Sequence, residues 1–264
     1  MDEARREQIM AQLRHVELRD TVRILYAAES GSRAWGFASP DSDYDVRFLY
    51  IRPIQEYLRL RPRRDVIELP IVDDLDINGW DIVKALNLFR SSNPPLLEWL
   101  KSPIIYLESG DFAAKLRTLA QSHFSPRRMT YHYLSMTRNN HKDYIADKSE
   151  VSLKKYLYAM RPLVCIRWME QRGAPPPTSV WETLAGIELD REVRAQLSDL
   201  MERKQRVGEL GAAAPDAILN RFIDAEIERI TVSVANLPDP TLTEEDLNTV
   251  FQAELGLTLP AAQP

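Results

Sequence analysis

The chain has 264 residues, with 34 lysines and arginines against 39 aspartates and glutamates, and a formal net charge of −5 at pH 7. This length accommodates one large domain or two smaller ones, and the acidic balance argues against a uniformly basic nucleic-acid-binding surface. No run of about 18 apolar residues is present, so we expect no membrane span. The single cysteine excludes an internal disulfide and a cysteine-rich zinc site, and together these features favour a cytoplasmic protein.

Residues 1–125 mix helical and strand-like patterns. Charged residues interleaved with apolar ones predict amphipathic helices, and short apolar, β-branched runs predict strands. In chain order the pattern predicts a helix over 3–18, strands over 22–27, 44–51 and 65–69, a helix over 80–91, an edge strand at 104–106 and a helix over 111–123. Arginines in the 59–64 segment form either a solvated linker or a phosphate contact.

From the Ser125-Pro126 boundary onwards the pattern is helical, and it continues to about residue 236. The predicted helices cover 126–147, 152–172, 178–186, 190–209 and 215–236. The remaining stretch, 237–264, contains several prolines around one small predicted helix. We expect this stretch to be a peripheral C-terminal tail.

The motif with the clearest chemical content lies between the first two predicted strands. Gly31 lets the backbone approach a ligand closely, and Ser32 adds a hydroxyl group. Asp43 and Asp45 are two residues apart in a strand-like run and therefore point to the same face. Two adjacent carboxylates are stabilised by a divalent cation or by retention of one proton. The alternative is an acidic surface loop, because Asp, Ser and Pro favour turns.

A glycine-serine pair, ten intervening residues and then Asp-x-Asp is a pattern that resembles the DNA polymerase β-like nucleotidyltransferase superfamily. The chain most resembles the RNA-repair, RNA-ligase-associated nucleotidyltransferases within it. Further blocks that carry the resemblance are Gly79–Leu86, Ser92–Pro94, Glu98–Pro103 and Lys154–Leu163. The resemblance implies an α+β fold: a catalytic domain with a small mixed sheet over 1–125, and an all-helical nucleotide- or acceptor-binding domain over 126–236.

The resemblance also implies roles for the acidic residues. Asp43 and Asp45 would hold one Mg²⁺ on the triphosphate, and together with Asp76 they would hold a second; Mn²⁺ is an alternative ion. Asp76 fits the third position because apolar residues flank it in a strand-like run, and Asp74 on the same strand face is the competitor.

A second set of residues is expected to bind the nucleotide. The backbone of Gly31 and the hydroxyl of Ser32 would grip the β- and γ-phosphates, and Arg33 is a further phosphate candidate. Three residues spaced four and three apart share one face of a predicted helix: Lys154, Tyr158 and Arg161. Two cations and an aromatic ring can hold a triphosphate and stack on a base. The alternative is an exposed surface face whose cations extend into solvent.

The expected activity is Mg²⁺-dependent transfer of a nucleoside monophosphate from an NTP to a hydroxyl, with release of pyrophosphate, which is EC 2.7.7 chemistry. The resemblance implies an RNA end as the acceptor, such as a tRNA 3′ end, and an RNA ligase as a partner. A protein hydroxyl is the alternative acceptor, as in related adenylyltransferases that modify toxins. A third hypothesis is a catalytically silent module that binds nucleotide or RNA.

Overall fold

The computed structural model describes residues 2–207, 211–240 and 242–257. It shows an α+β protein in which one small mixed sheet packs between helices. The strands are β1 (Arg23–Glu29), β2 (Tyr44–Ile51), β3 (Val66–Glu68), β4 (Leu75–Asp81), β5 (Ile105–Glu108) and the two-residue strands β6 (Val151–Ser152) and β7 (Ala212–Ala213). The helices before residue 125 are α1 (Glu3–Asp20), α2 (Gly31–Trp35), α3 (Ile54–Tyr57), α4 (Ile82–Arg90), α5 (Pro94–Leu100) and α6 (Phe112–His123).

Helices dominate the second half of the chain, as the sequence pattern predicts. They are α7 (Pro126–Tyr144), α8 (Leu153–Arg172), α9 (Val180–Gly186), α10 (Arg191–Val207), α11 (Ala217–Ser233), a 3₁₀ turn (Val234–Asn236) and α12 (Glu244–Glu254). Among the described helices, none is long and apolar enough to cross a bilayer.

The main sheet has the order β3-β4-β2-β1-β5. Strand β2 is antiparallel to β1 and parallel to β4, and the other pairings are antiparallel. The parallel pair arises because the chain passes through α3 and β3 before it returns beside β2. In this register Asp45 lies opposite Asp76. Two segments that are 31 positions apart in sequence therefore meet at one edge of the sheet.

Side chains of β2 alternate between two buried layers. Val46, Phe48 and Tyr50 are fully buried and pack in one layer with α1. Leu49 and Ile51 point to the opposite face and join a core shared with the helical half of the chain. Because side chains two residues apart share a face, Asp45 points to the face on which the helical half packs.

The described part of the predicted tail, residues 237–240 and 242–257, is more closely packed than a peripheral tail; residues 241 and 258–264 of that prediction lie outside the described residues. Leu242 and Leu247 are buried in the same core as the helical half, and the Phe251 ring packs edge-on against Tyr57 at 5.1 Å between centroids. Asp239 accepts hydrogen bonds from Ser125 and Arg128 at the start of α7. The core therefore continues across the boundaries placed at residues 125 and 236.

Candidate active site

The glycine-serine segment that follows β1 forms a short helix, α2. Gly31 opens it with φ of +59°, a left-handed conformation that glycine adopts at little cost. A Cβ atom at this position would lie 2.0 Å from Oδ2 of Asp45. The absence of a side chain at Gly31 therefore lets the Asp45 carboxylate lie directly against the backbone of the turn, with Ser32 as the next residue.

Asp45 and Asp76 are brought together by the parallel pairing of β2 and β4, and the guanidinium of Arg47 bridges them. Nη2 of Arg47 donates to Oδ1 of Asp45 at 2.8 Å and to Oδ2 of Asp76 at 2.7 Å. Burial raises the pKa of Asp45, the Arg47 charge opposes that increase, and the negative charges of Asp76 and Asp43 add to it. Sequence reasoning did not single out Arg47, although its position two residues after Asp45 places it on the same strand face.

Asp43 is exposed and lies immediately before β2 rather than within it. Arg33 organises the backbone at this point: its guanidinium donates to the carbonyl of Asp43 at 3.0 Å and of Ser42 at 2.5 Å. The same group lies 3.7 Å from the centroid of the Tyr44 ring. Arg33, a predicted phosphate contact, holds the loop that presents Asp43 in this structure.

Asp74 lies in the turn before β4, with φ of +59°. Its backbone carbonyl accepts a hydrogen bond from the amide of Tyr44 at 2.7 Å. The carboxylate of Asp76 instead accepts a hydrogen bond from Arg47, which also donates to the carboxylate of Asp45. Of the two competing acidic residues, Asp76 is the one whose carboxylate the structure joins to Asp45.

Glu29, which sequence reasoning missed, lies buried beneath this site. Its Oε1 accepts a hydrogen bond from the backbone amide of Asp45 at 2.8 Å, and Tyr106 donates a hydroxyl hydrogen bond to Oε2. Burial raises the pKa of Glu29 from 4.5 to about 7. Glu29 thus holds the backbone at the start of β2 through this hydrogen bond. A lone acidic residue at the end of the apolar run 24–28 is the signal that could have found it.

Helix α8 faces α2 through aromatic contacts. The ring of Tyr158 meets Trp35, the last residue of α2, in an edge-to-face contact at 6.2 Å between centroids. Lys154 is exposed one turn earlier, with Nζ 5.8 Å from the centroid of the Tyr158 ring. The pKa of Asp41 is lowered mainly by a hydrogen bond with Ser39, and the positive charges of Lys204 and Lys154 add to this effect. The structure therefore brings Lys154 and Tyr158 to the side of α8 that faces the turn.

Arg161 departs from the expected exposed phosphate contact. It is buried, its Nη2 lies 2.6 Å from Oε1 of Glu98 in α5, and its guanidinium lies 4.1 Å from the centroid of the Trp35 ring. Tyr133 donates its hydroxyl to the same carboxylate at 3.0 Å. Helical spacing places Arg161 with Tyr158, but a buried partner in another element turns it inward.

Lys204 in α10 also reaches this region and was not predicted from the sequence. It is buried, and Nζ donates to the hydroxyl of Ser39 at 3.2 Å, in the loop between α2 and β2. Trp181 donates to the carbonyl of Gly36 at 2.8 Å in the same loop. The loop that leads to Asp43 is therefore held by side chains from two helices of the second half.

Three acidic residues supply carboxylate oxygens at this edge of the sheet, and oxygen ligands are those that Mg²⁺ prefers. The described residues include no preformed group of three or more His, Cys, Asp or Glu side chains arranged to hold a metal. Arg47, however, already places a positive charge between Asp45 and Asp76. The residues fit a divalent cation in ligand type and charge, and Arg47 lies where an ion held by both carboxylates would bind.

The structure is an α+β protein with a small mixed sheet, in which a glycine turn lies directly against one of two paired aspartates. The family model described as RNA repair pathway DNA polymerase beta family, RlaP, matches residues 5–253, and the chain belongs to that family. The resemblance stated from the sequence is thereby confirmed.

YcgL of Bacillus subtilis (strain 168) is 44% identical over 232 residues, which cover 88% of this chain and 89% of YcgL. A nucleotidyltransferase-like protein from Exiguobacterium sibiricum 255-15 aligns over 92% of this chain and 87% of its own, with 14% identity and a TM-score of 0.32.

Proposed function

We propose that this protein transfers a nucleoside monophosphate from an NTP to a hydroxyl group and releases pyrophosphate, in a Mg²⁺-dependent reaction. The observation that carries the proposal is the meeting of Asp45 and Asp76 across β2 and β4, directly against the Gly31 turn. Membership of a polymerase β family supports nucleotidyl transfer as the type of reaction. The acceptor oxygen bonds to the α-phosphorus as the bond to pyrophosphate breaks, and the hydroxyl proton is lost to solvent.

Asp43 and Asp45 are the proposed ligands of the cation that accompanies the triphosphate, and Asp76 joins them for a second cation. Bound divalent ions lower the pKa of an acceptor hydroxyl and neutralise charge on the transferred group. Glu29 and Arg33 support this arrangement from the protein side, because each holds the backbone at the start of β2 by hydrogen bonds. The backbone that carries Asp43 and Asp45 is therefore fixed by hydrogen bonds from the protein itself.

The NTP is proposed to bind between the Gly31 turn and the exposed side of α8. The backbone of Gly31 and the hydroxyl of Ser32 would contact the terminal phosphates, and Lys154 would neutralise them. Tyr158 would pack on the sugar or base from its position against Trp35. Arg161 would act indirectly, since its ion pair with Glu98 supports Trp35 from within the core.

An RNA end is the proposed acceptor, and an RNA ligase the proposed partner. The description of the family as part of an RNA repair pathway supports this choice. The net charge of −5 does not oppose it, because a phosphate chain responds to local charge rather than to the total. A protein hydroxyl is the competing acceptor, and the experiment below separates the two.

The test uses each of four α-labelled NTPs with Mg²⁺ and either total RNA or total protein. We expect label in RNA and release of pyrophosphate by the wild-type protein. Asp45→Asn should lower transfer by about a hundredfold or more, because its carboxylate supplies several kcal/mol of charge stabilisation through the cation. Asp73→Asn, a change in the exposed turn before β4, is the matched control and should retain activity.

Incorporation of label into protein alone would indicate that the acceptor is a protein hydroxyl rather than an RNA end. Wild-type transfer rates in Asp45→Asn would contradict the assignment of the site. NTP binding that is independent of Mg²⁺, with no pyrophosphate released in the presence of either acceptor, would indicate a binding module in place of an enzyme.

A further inference from the structure

Arg47 occupies a defined place within the acidic site. Its side chain is 17% exposed, and within the described residues its guanidinium donates hydrogen bonds only to β2 and β4. Nη1 donates to the carbonyl of Asp76 at 2.9 Å and of Val46 at 3.2 Å. Nη2 is shared by the carboxylates of Asp45 and Asp76. Two backbone carbonyls thus anchor one end of the guanidinium, and two carboxylates hold the other.

A cation is needed here because the parallel register sets two carboxylates directly opposite each other. Without a positive charge between Asp45 and Asp76, their repulsion would favour separation or protonation. A single nitrogen of Arg47 lies at 2.8 and 2.7 Å from the two oxygens. Mg²⁺ binds oxygen at about 2.0–2.1 Å. An ion held by the same two oxygens would overlap with that nitrogen, so the two cations exclude each other.

We propose that Arg47 is a resident counter-cation that competes with the divalent metal ion for Asp45 and Asp76. In the ligand-free protein its guanidinium keeps the paired carboxylates together. When a metal ion binds to them, the guanidinium withdraws from between the two oxygens. Arg47 thereby lowers the affinity of the ligand-free site for metal and makes metal binding depend on the rest of the substrate. The identity of the competing ion rests on the proposed function.

The competition is tested by titrating the full-length protein with Mn²⁺ alone and measuring free ion by electron paramagnetic resonance. Arg47→Met removes the charge and the hydrogen bonds while keeping a long unbranched side chain. We expect it to tighten Mn²⁺ binding on the order of tenfold, the factor that corresponds to about 1.4 kcal/mol of competing charged hydrogen bonding. The ion-free variant should melt at a lower temperature than wild type, and Mn²⁺ should raise its melting temperature by more.

Three comparison variants sharpen the result. Arg117→Met removes an arginine–carboxylate pair with Glu108 elsewhere on the sheet, and it should leave Mn²⁺ affinity within about twofold of wild type. Asp76→Asn added to Arg47→Met should abolish the gain. Arg47→Lys keeps the charge but loses the planar fork that spans both carboxylates, and it should tighten binding by a smaller factor. It tests the same competition if Arg47→Met fails to fold.

Unchanged or weaker Mn²⁺ binding by both Arg47 variants, alongside measurable binding by the wild type, would overturn the competition and leave the proposed function standing. Absence of Mn²⁺ binding in the wild type and in both Arg47 variants would also overturn the competition, whereas the proposed function is decided separately by the transfer of label from NTP. Tighter binding by Arg47→Met that Asp76→Asn reverses would support the competition.

Discussion

Contact between Gly31 and Asp45 ties the turn after β1 to the carboxylate pair. The backbone at Gly31 is left-handed, and the space where a Cβ atom would lie belongs to the Asp45 carboxylate. Gly31 is therefore constrained in two ways: its backbone is left-handed, and the Asp45 carboxylate leaves no room for a side chain. A substitution here disturbs the acidic group and the proposed phosphate contact together.

Gly31→Ala should destabilise the protein by about 2–4 kcal/mol and weaken NTP binding, because the methyl group must displace Asp45 or the backbone must move. Gly110→Ala is a matched control: its φ is +68° but no atom lies within 4 Å of the added carbon. It should cost only about 1 kcal/mol of backbone strain. Thermal unfolding and NTP titration measure both effects. Equal losses in the two variants would contradict the close-contact explanation.

The sequence predicts the pair Asp43 and Asp45 from local information, the alternation of side chains along one predicted strand. In the structure only Asp45 lies within β2, and Asp43 immediately precedes it. Arg47 and Glu29 could not be assigned in this way. Their roles depend on which strand lies beside β2 and on the register of that pairing. The resemblance indicated Asp76 as the third acidic residue, but its position opposite Asp45 follows only from the fold.

At the scale of elements, α8 connects the helical half to α2. Tyr158 and Arg161 both contact Trp35, one from the side and one through a cation–π contact. The helical pattern correctly predicts that these residues share a face. It could not predict which of them is buried, because that depends on Glu98 and Tyr133 from two other helices.

Arg161→Met should lower the free energy of unfolding by about 3–5 kcal/mol, because it leaves the Glu98 carboxylate buried without its cation. Lys154→Met, on an exposed part of the same helix, should leave thermal stability nearly unchanged and raise the KM for NTP. Melting temperatures and steady-state kinetics distinguish the two variants. An Arg161→Met protein with wild-type stability and only a raised KM would restore Arg161 as a direct phosphate ligand.

Local sequence patterns locate the start of α4 closely, but they do not predict the shortest elements. Strand β4 continues to Asp81, which then caps α4 by accepting a hydrogen bond from the amide of Val83 at 2.9 Å. The sequence pattern begins that helix at residue 80, close to the observed start at Ile82. The two-residue strands β6 and β7 carry too little sequence signal to be predicted, and α2 is short enough to be taken for a turn.

At the scale of the whole molecule, Asp239 in the chain that follows α11 forms hydrogen bonds with residues at the start of α7. Hydrogen bonds from Arg128, Ser125 and Arg127 hold the pKa of Asp239 well below its usual range. Since the folded protein binds fewer protons at this group than the unfolded chain does, the stabilisation is present above about pH 4 and is lost as pH falls further.

Asp239→Asn should therefore lower the free energy of unfolding by about 1–2 kcal/mol at pH 7, a value reduced from that of a buried pair because the arginines are partly exposed. The difference from wild type should shrink steadily below about pH 4. Asp199→Asn removes an exposed pair with Arg203 within α10 and is the control. Denaturant unfolding across pH measures both. A difference that grows toward acid would contradict this role for Asp239.

The measurement that tests the proposed chemistry most directly compares Asp76→Asn with Asp74→Asn in Mg²⁺-dependent transfer of label from an α-labelled NTP. These carboxyl groups are two residues apart, yet only Asp76 shares Arg47 with Asp45. We expect Asp76→Asn to lose activity by about a hundredfold or more and Asp74→Asn to keep most of it. A folded Asp76→Asn protein that transfers label at the wild-type rate would contradict catalysis by cations held between β2 and β4.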